Sequence, residues 1–215
     1  MDGNQRWSKK NICPRYIAYK AGAKKLISMS KFIFSKFDVP YVSAFAISRS
    51  NLNRSKQSIN ILVKILREFI DEYLNNLSKF DFNLIFIGKF DFLPKDISLK
   101  LEEVNKRGRN FKFNLIIFIN YSGRYDVIES ISSSIIKNKN ITLNTFSNNL
   151  LTANLPDPDI LIRTGGFKRI SDFMLFQLSF TELFFLNCLW PDITRFQIKK
   201  IINKFFMIER KYGSN

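Results

Sequence analysis

Short apolar runs alternate along this chain with longer stretches of helical periodicity, and that alternation limits the fold more than any other feature. Tyr41 to Ile47, Leu84 to Gly88, Phe113 to Asn120 and Asp159 to Arg163 read as buried strands. Between and around them, Tyr19 to Phe37, Ser58 to Phe80, Pro94 to Arg107, Arg124 to Lys137 and the stretch from Thr194 onward carry apolar residues at helical spacing. Strands of this kind separated by amphipathic helices predict an α/β fold with a central, mostly parallel sheet covered by helices on both faces. No linker rich in Pro, Gly or Ser divides the chain, so residues 1–215 are read as a single domain. In such sheets the ligand site lies beyond the carboxyl ends of the strands.

Composition narrows the chemistry. With no histidine in the chain, Ser-His-Asp triads and His-bearing zinc sites are excluded, and any metal must be held by oxygen ligands. Cys13 and Cys188 are too few for a disulfide framework, which makes a reducing cytoplasm the expected compartment. The segment Met1 to Lys10 has no apolar core of a signal peptide, and the richest apolar region, Phe173 to Pro191, is interrupted by Glu182. A net charge of +16 would favour nucleic acid or anionic lipid as partner. The abundance of Ile, Phe, Lys and Asn, however, is what AT-rich coding DNA produces without selection for a basic patch. The 12 arginines run against that drift and are the more informative cations.

Four polar clusters fall at strand ends or the chain start: Asp2 to Trp7, Ser48-Arg49-Ser50-Asn51 with Arg54, Asn120 to Arg124, and Arg163 to Gly166 with Arg169-Ile170-Ser171. Each joins arginine to small or amide residues. Forked guanidinium donors and closely approaching backbone N–H groups suit phosphate oxygens. The competing reading is that these arginines cap strand ends or pair with Asp157, Asp159 and Asp172. For a divalent cation on a diphosphate, Asp2 is the leading carboxylate and Glu182 the second. An unpaired acid in the apolar run around Glu182 would be costly, which favours a functional or salt-bridged role there.

These residues resemble the cis-prenyltransferases, the family of bacterial undecaprenyl diphosphate synthase. The resemblance rests on Met1 to Trp7, Asn120-Tyr121-Ser122-Gly123-Arg124 and the block Leu155 to Gly166. It continues through Arg169-Ile170-Ser171, Phe176-Gln177-Leu178, Thr181-Glu182-Leu183 and Leu189-Trp190-Pro191-Asp192, in order over almost the whole chain. It implies a homodimeric, cytoplasmic enzyme that condenses isopentenyl diphosphate with an allylic diphosphate such as farnesyl diphosphate. The product would be a polyprenyl diphosphate such as undecaprenyl diphosphate, grown in an apolar tunnel and delivered to the membrane surface. No nucleic acid is expected. The resemblance makes Mg²⁺ the expected metal, held by Asp2 and completed by Glu182, and makes Asn51 the proton acceptor. Gly3, Asn4, Arg6, Arg15 and Arg54 would cradle the allylic diphosphate, and Arg163, Arg169 and Ser171 the isopentenyl diphosphate. Gln5, Trp7, Tyr19, Ser48, Arg49, Ser50, Leu52 and Ile170 complete the expected substrate contacts. Gln5, Tyr19, Ser50 and Leu52 stand where the family usually has Gly, His, Glu and Trp, and Phe167 and Lys89 replace usual acids. The family's first strand, which ends just before the position of Met1, is expected to be missing. The tunnel would be lined by the apolar face of Ser58 to Phe80 with Ile85, Ile87, Ile116 and Phe118, residues that ordinary core packing would also explain. A non-catalytic scaffold subunit of the same fold and a basic nucleic-acid-binding protein are the alternatives.

Overall fold

Seven consecutive residues, Leu115 to Tyr121, are buried, so the strand that carries them is covered on both faces, as a central parallel strand must be. The computed structural model describes residues 1–53, 55–107, 111–137 and 140–210. The chain divides into two compact units, Gly3–Tyr121 with Met1, and Ser122–Asn215 with Asp2.

In the first unit, helices α1 (Asn4–Lys10) and α2 (Arg15–Phe37) precede strand β1 (Tyr41–Ser48). Helix α3 (Lys56–Asn75), strand β2 (Phe82–Gly88), helix α4 (Lys95–Lys106) and strand β3 (Phe113–Tyr121) follow. The sheet order is β1-β3-β2, with both outer strands parallel to β3. Leu115, Phe118 and Ile119 are fully buried on β3. Each stabilises the fold by about 1.5–3 kcal/mol relative to an exposed side chain. Helix α2 begins four residues before its periodicity suggested, because Pro14 sets the helical start there. It ends on Asp38 in a left-handed conformation, φ 55°, whose N–H donates to the Phe34 carbonyl. The β2 strand ends at Gly88 with φ +131°, where a Cβ would stand 1.8 Å from the Ile119 carbonyl oxygen, so only glycine fits.

The face of α3 expected to line a tunnel is graded. Leu66, Ile70 and Tyr73 are buried, while Ile59, Leu62, Val63, Ile65 and Phe69 are half-buried. Of the strand residues proposed beside it, Ile87, Ile116 and Phe118 are buried and Ile85 is half-buried.

In the second unit, helices α5 (Gly123–Ile136) and α6 (Leu143–Ser147) lead to strands β4 (Ile160–Arg163) and β5 (Glu182–Phe185) and a closing helix α7 (Arg195–Phe206). The two strands pair in parallel. Helix α7 carries a capping box in which Thr194 and Gln197 satisfy each other's backbone N–H. Helix α5 is inverted in polarity: its buried side is Gly123, Asp126, Ser130 and Ser134, while Tyr125, Ile128, Ile135 and Ile136 face outward. Small buried residues let α5 lie close to its neighbours. Ser130 donates to the Phe146 carbonyl at 2.5 Å, and Asp126 accepts from the Leu151 N–H at 2.9 Å.

Candidate functional site

The second unit gathers a carboxylate and two arginines at the carboxyl end of β4. Asp2 is stitched there through its backbone: its N–H donates to Thr164 Oγ1 at 3.1 Å, and its carbonyl accepts from Thr164 Oγ1 at 2.9 Å and from the Trp190 N–H at 3.0 Å. Its side chain Oδ2 accepts from Arg163 Nη2 at 3.0 Å. The Arg163 side chain is only 14% exposed against 33% for Asp2, so this pair is less screened than a surface ion pair.

Arg163 is held on its other arm as well. Nη1 donates to Ser171 Oγ at 2.6 Å and to the Arg169 carbonyl, while Nε is buried with no partner. A buried N–H of this kind is rare in a finished structure and is expected where an acceptor belongs. The chain can double back to make these contacts because β4 runs into a left-handed pair, Gly165 (φ 90°) and Gly166 (φ 81°). Their N–H groups donate to the Cys188 and Leu186 carbonyls at 2.8 and 2.9 Å. The Arg169 guanidinium lies 4.1 Å from the centre of the Phe167 ring and makes no hydrogen bond or ion pair with any described residue. Ile170 lies half-buried between Arg169 and Ser171.

Ser171 (φ 54°) and Asp172 (φ 65°) are both left-handed. Asp172 holds that conformation by filling the start of α5: it accepts from the Arg124 N–H at 3.0 Å and from Ser122 Oγ, and its carbonyl accepts from the Gly123 N–H at 2.8 Å. A Cβ on Gly123 would stand 2.9 Å from the Leu175 backbone nitrogen, so the loop and helix meet without room for a side chain. The polar cluster at Ser122-Gly123-Arg124 therefore spends its donors on an internal carboxylate rather than on a ligand. Asp159 is likewise taken, by Arg210.

Of the two carboxylates expected at a metal, Asp2 alone stands beside the arginines. Parallel register sets Glu182 opposite Ile160 and Phe185 opposite Arg163. Glu182 is thus at the other end of the strand pair, three residue steps or about 10 Å along it. No group of three His, Cys, Asp or Glu residues able to hold a metal occurs among the described residues. The donor set at Asp2 fits a hard cation that takes one protein carboxylate and draws its remaining oxygens from a bound diphosphate and water, and does not fit an all-protein cage.

The remaining expected residues belong to the first unit. Gly3, buried at φ 112°, precedes α1 and lets the chain turn into it; the Trp7 N–H donates to its carbonyl at 2.8 Å. Asn4, Gln5, Arg6 and Trp7 form the first turn of α1, with Asn4 Oδ1 buried and unpartnered. Arg15 opens α2 and donates through Nη1 to Ser58 Oγ at 3.2 Å, on the first turn of α3, and Tyr19 follows one turn later. Ser48 ends β1, its hydroxyl 2.9 Å from that of Ser50. Arg49, Ser50, Asn51 and Leu52 form a 3₁₀ turn beyond the strand. Arg54 lies outside the described residues. Sequence reasoning missed Asp172 as an organiser of the arginine loop; its spacing two residues after Ile170 gave no hint of a helix start 50 residues upstream.

Comparison with known proteins bears on this arrangement. Residues 1–213 match a family model described as putative undecaprenyl diphosphate synthase. The chain is 34% identical to an isoprenyl transferase of Aquifex pyrophilus over 99% of this chain and 93% of the relative. It is 35% identical to a ditrans,polycis-undecaprenyl-diphosphate synthase of Buchnera aphidicola, described as (2E,6E)-farnesyl-diphosphate specific, over 99% of this chain and 88% of the relative. Among solved structures, lavandulyl diphosphate synthase from Lavandula x intermedia in complex with dimethylallyl diphosphate superposes with a TM-score of 0.87 at 26% identity, covering 100% of this chain and 95% of that one. A probable undecaprenyl diphosphate synthase from Campylobacter jejuni gives 0.80 at 27% identity, over 90% and 92%.

Proposed function

We propose the following reaction from the premise that this chain belongs to the undecaprenyl diphosphate synthase family and is a prenyltransferase: Mg²⁺-dependent condensation of isopentenyl diphosphate with an allylic diphosphate, farnesyl diphosphate in the first instance, to a cis-polyprenyl diphosphate. The C–O bond of the allylic diphosphate breaks with its electron pair going to the diphosphate. The isopentenyl double bond supplies the pair for the new C–C bond, and one proton is lost. Asn51 accepts that proton in this reading.

The observation that carries the proposal is the Asp2–Arg163 pair, with Ser171 fixing the same guanidinium and Arg169 beside it offering its donors outward. Fixed cations at the place where negative charge collects stabilise it without reorganising at the moment of reaction. In this reading Arg163, Arg169 and Ser171 hold the isopentenyl diphosphate. Gly3, Asn4, Arg6, Arg15 and Arg54 hold the allylic one, with Gln5, Trp7, Tyr19, Ser48, Arg49, Ser50, Leu52 and Ile170 around the two. Asp2 would hold the metal; when bound, Mg²⁺ supplies further stabilisation of charge on the departing diphosphate. The half-buried apolar face of α3 suits a hydrocarbon chain.

A second copy of the chain is the partner proposed, supported by the outward apolar side of α5, where Ile128 is 57% and Ile135 61% exposed. No helix among the described residues is long and apolar enough to cross a membrane, and delivery of the product to a membrane surface belongs to the same proposal.

The test is incubation with farnesyl and isopentenyl diphosphates, with and without Mg²⁺, followed by chain-length analysis of the products. Polyprenyl diphosphates formed only with the metal support the reaction. Absence of any product in both arms, from protein shown to be folded, overturns it in favour of a scaffold subunit.

A further inference from the structure

Phe167 sits between the two arginines of the cluster. Its ring centre is 4.1 Å from Arg169 Cζ and 5.7 Å from Arg163 Cζ, and the side chain is 41% exposed, so it is not there to fill a core. The two guanidinium groups differ in every other respect. Arg163 is tied by Asp2, Ser171 and the Arg169 carbonyl. Arg169 has the ring as its recorded side-chain partner and no hydrogen-bond acceptor among the described residues.

The electrostatics of that ring set what it can do. An aromatic face attracts a cation through its quadrupole and carries no net charge, so it fixes the plane of a guanidinium while leaving the full positive charge and all five N–H donors for an outside acceptor. An acid at the same place, as the family usually has, would also fix the arginine, at the cost of cancelling one charge and occupying two donors. A flexible arginine otherwise loses rotamer entropy when it captures an anion, about 0.5–1.5 kcal/mol for an immobilised side chain.

We propose that Phe167 is a positioning residue: it pre-orients Arg169, and secondarily Arg163, as an uncancelled pair of cations for the diphosphate group of the homoallylic substrate. The inference rests on the diphosphate reading of this cluster and adds to it a residue that touches no substrate atom. Its signature is in ground-state affinity. Loss of the ring raises KM for isopentenyl diphosphate with kcat little changed, because the ring acts equally before and during the reaction.

The experiment compares wild type with Phe167→Leu, Phe167→Tyr and Phe167→Trp. Binding of inorganic pyrophosphate is measured by calorimetry, KM and kcat for isopentenyl diphosphate by steady-state kinetics, and Tm by a thermal melt. Phe167→Leu should weaken pyrophosphate binding and raise KM by about 5- to 30-fold, the loss of two exposed cation–π contacts. Its Tm should match wild type, and Tyr or Trp should restore affinity to within about 3-fold, since both present an equivalent or better face. Phe167→Leu binding pyrophosphate as wild type does, or Tyr and Trp failing together with Leu, overturns the role of the ring. Failure of the wild type itself to bind pyrophosphate overturns the underlying diphosphate reading instead, which separates the two claims.

Discussion

Asp172 offers the sharpest energetic test of how the arginine loop is held. Replacing it with Ala removes the acceptor of the Arg124 N–H at 3.0 Å and of Ser122 Oγ, at the first turn of α5 where the helix leaves N–H groups unsatisfied. A hydrogen bond to a charged group contributes about 1.5–3 kcal/mol, and a carboxylate at a helix start adds about 0.3–1 kcal/mol. Ala must also adopt φ 65°, a left-handed conformation that Asp tolerates better. A total of about 3 kcal/mol follows, a fall in Tm of roughly 6–12 °C for a chain of this size. Asp172→Gly loses the same side-chain bonds without the left-handed penalty and should be less damaging than Ala by about 1 kcal/mol. Asp172→Asn keeps one acceptor oxygen and should lie nearest to wild type. Chemical denaturation of the three variants with KM for isopentenyl diphosphate is the assay, because Ser171, the neighbour that holds Arg163, moves with Asp172. Asp172→Ala within about 0.5 kcal/mol of wild type, or Asp172→Gly as destabilised as Ala, would refute this reasoning.

Two further outcomes concern the first unit. Ile12 is 95% exposed at φ 48°, a strained conformation for a β-branched residue with no packing to offset it, so Ile12→Asn should stabilise by about 1 kcal/mol, read as a Tm increase. The hydrogen bond from Tyr16, and secondarily that from Lys20, hold the Glu68 carboxyl below its usual titration range. The stability from a lowered carboxyl is present above the unfolded value and lost as pH falls through the folded one. Tyr16→Phe should therefore raise the Glu68 titration midpoint seen by NMR. It should destabilise at neutral pH, with a difference from wild type that closes on acidification.

The elements of the first unit were legible because each strand is a contiguous apolar run bounded by Pro, Gly or polar loops, and α3 and α4 have clear stripes. Short elements were not. Helix α1 is seven residues with Trp7 as its one large apolar side chain, too little for periodicity, and its start depends on the left-handed Gly3. Strand β5 is four residues inside an apolar stretch that has no alternation of its own, and only its pairing with β4 defines it. At the site, the residue types of Asp2, Arg163, Arg169 and Ser171 were legible from motif resemblance, and their mutual hydrogen bonds confirm that they are neighbours. The Ser122-Gly123-Arg124 cluster looked equally suited to an anion. Its true occupant, Asp172, is 50 residues away in sequence, and no local pattern links them. Glu182 fell in the expected motif, yet strand register separates it from Asp2 along the β4–β5 pair.

The central claim is that Asp2 acts on the departing diphosphate, and Asp2→Ala tests it most directly. The backbone bonds that tie residue 2 to Thr164 and Trp190 do not involve the side chain and survive the change. Turnover with saturating farnesyl and isopentenyl diphosphates and Mg²⁺ should fall by at least about 10²-fold, or about 2.7 kcal/mol of barrier. Pyrophosphate binding should weaken by much less, since Arg163 and Arg169 remain. Equal turnover by Asp2→Ala and wild type would contradict the account.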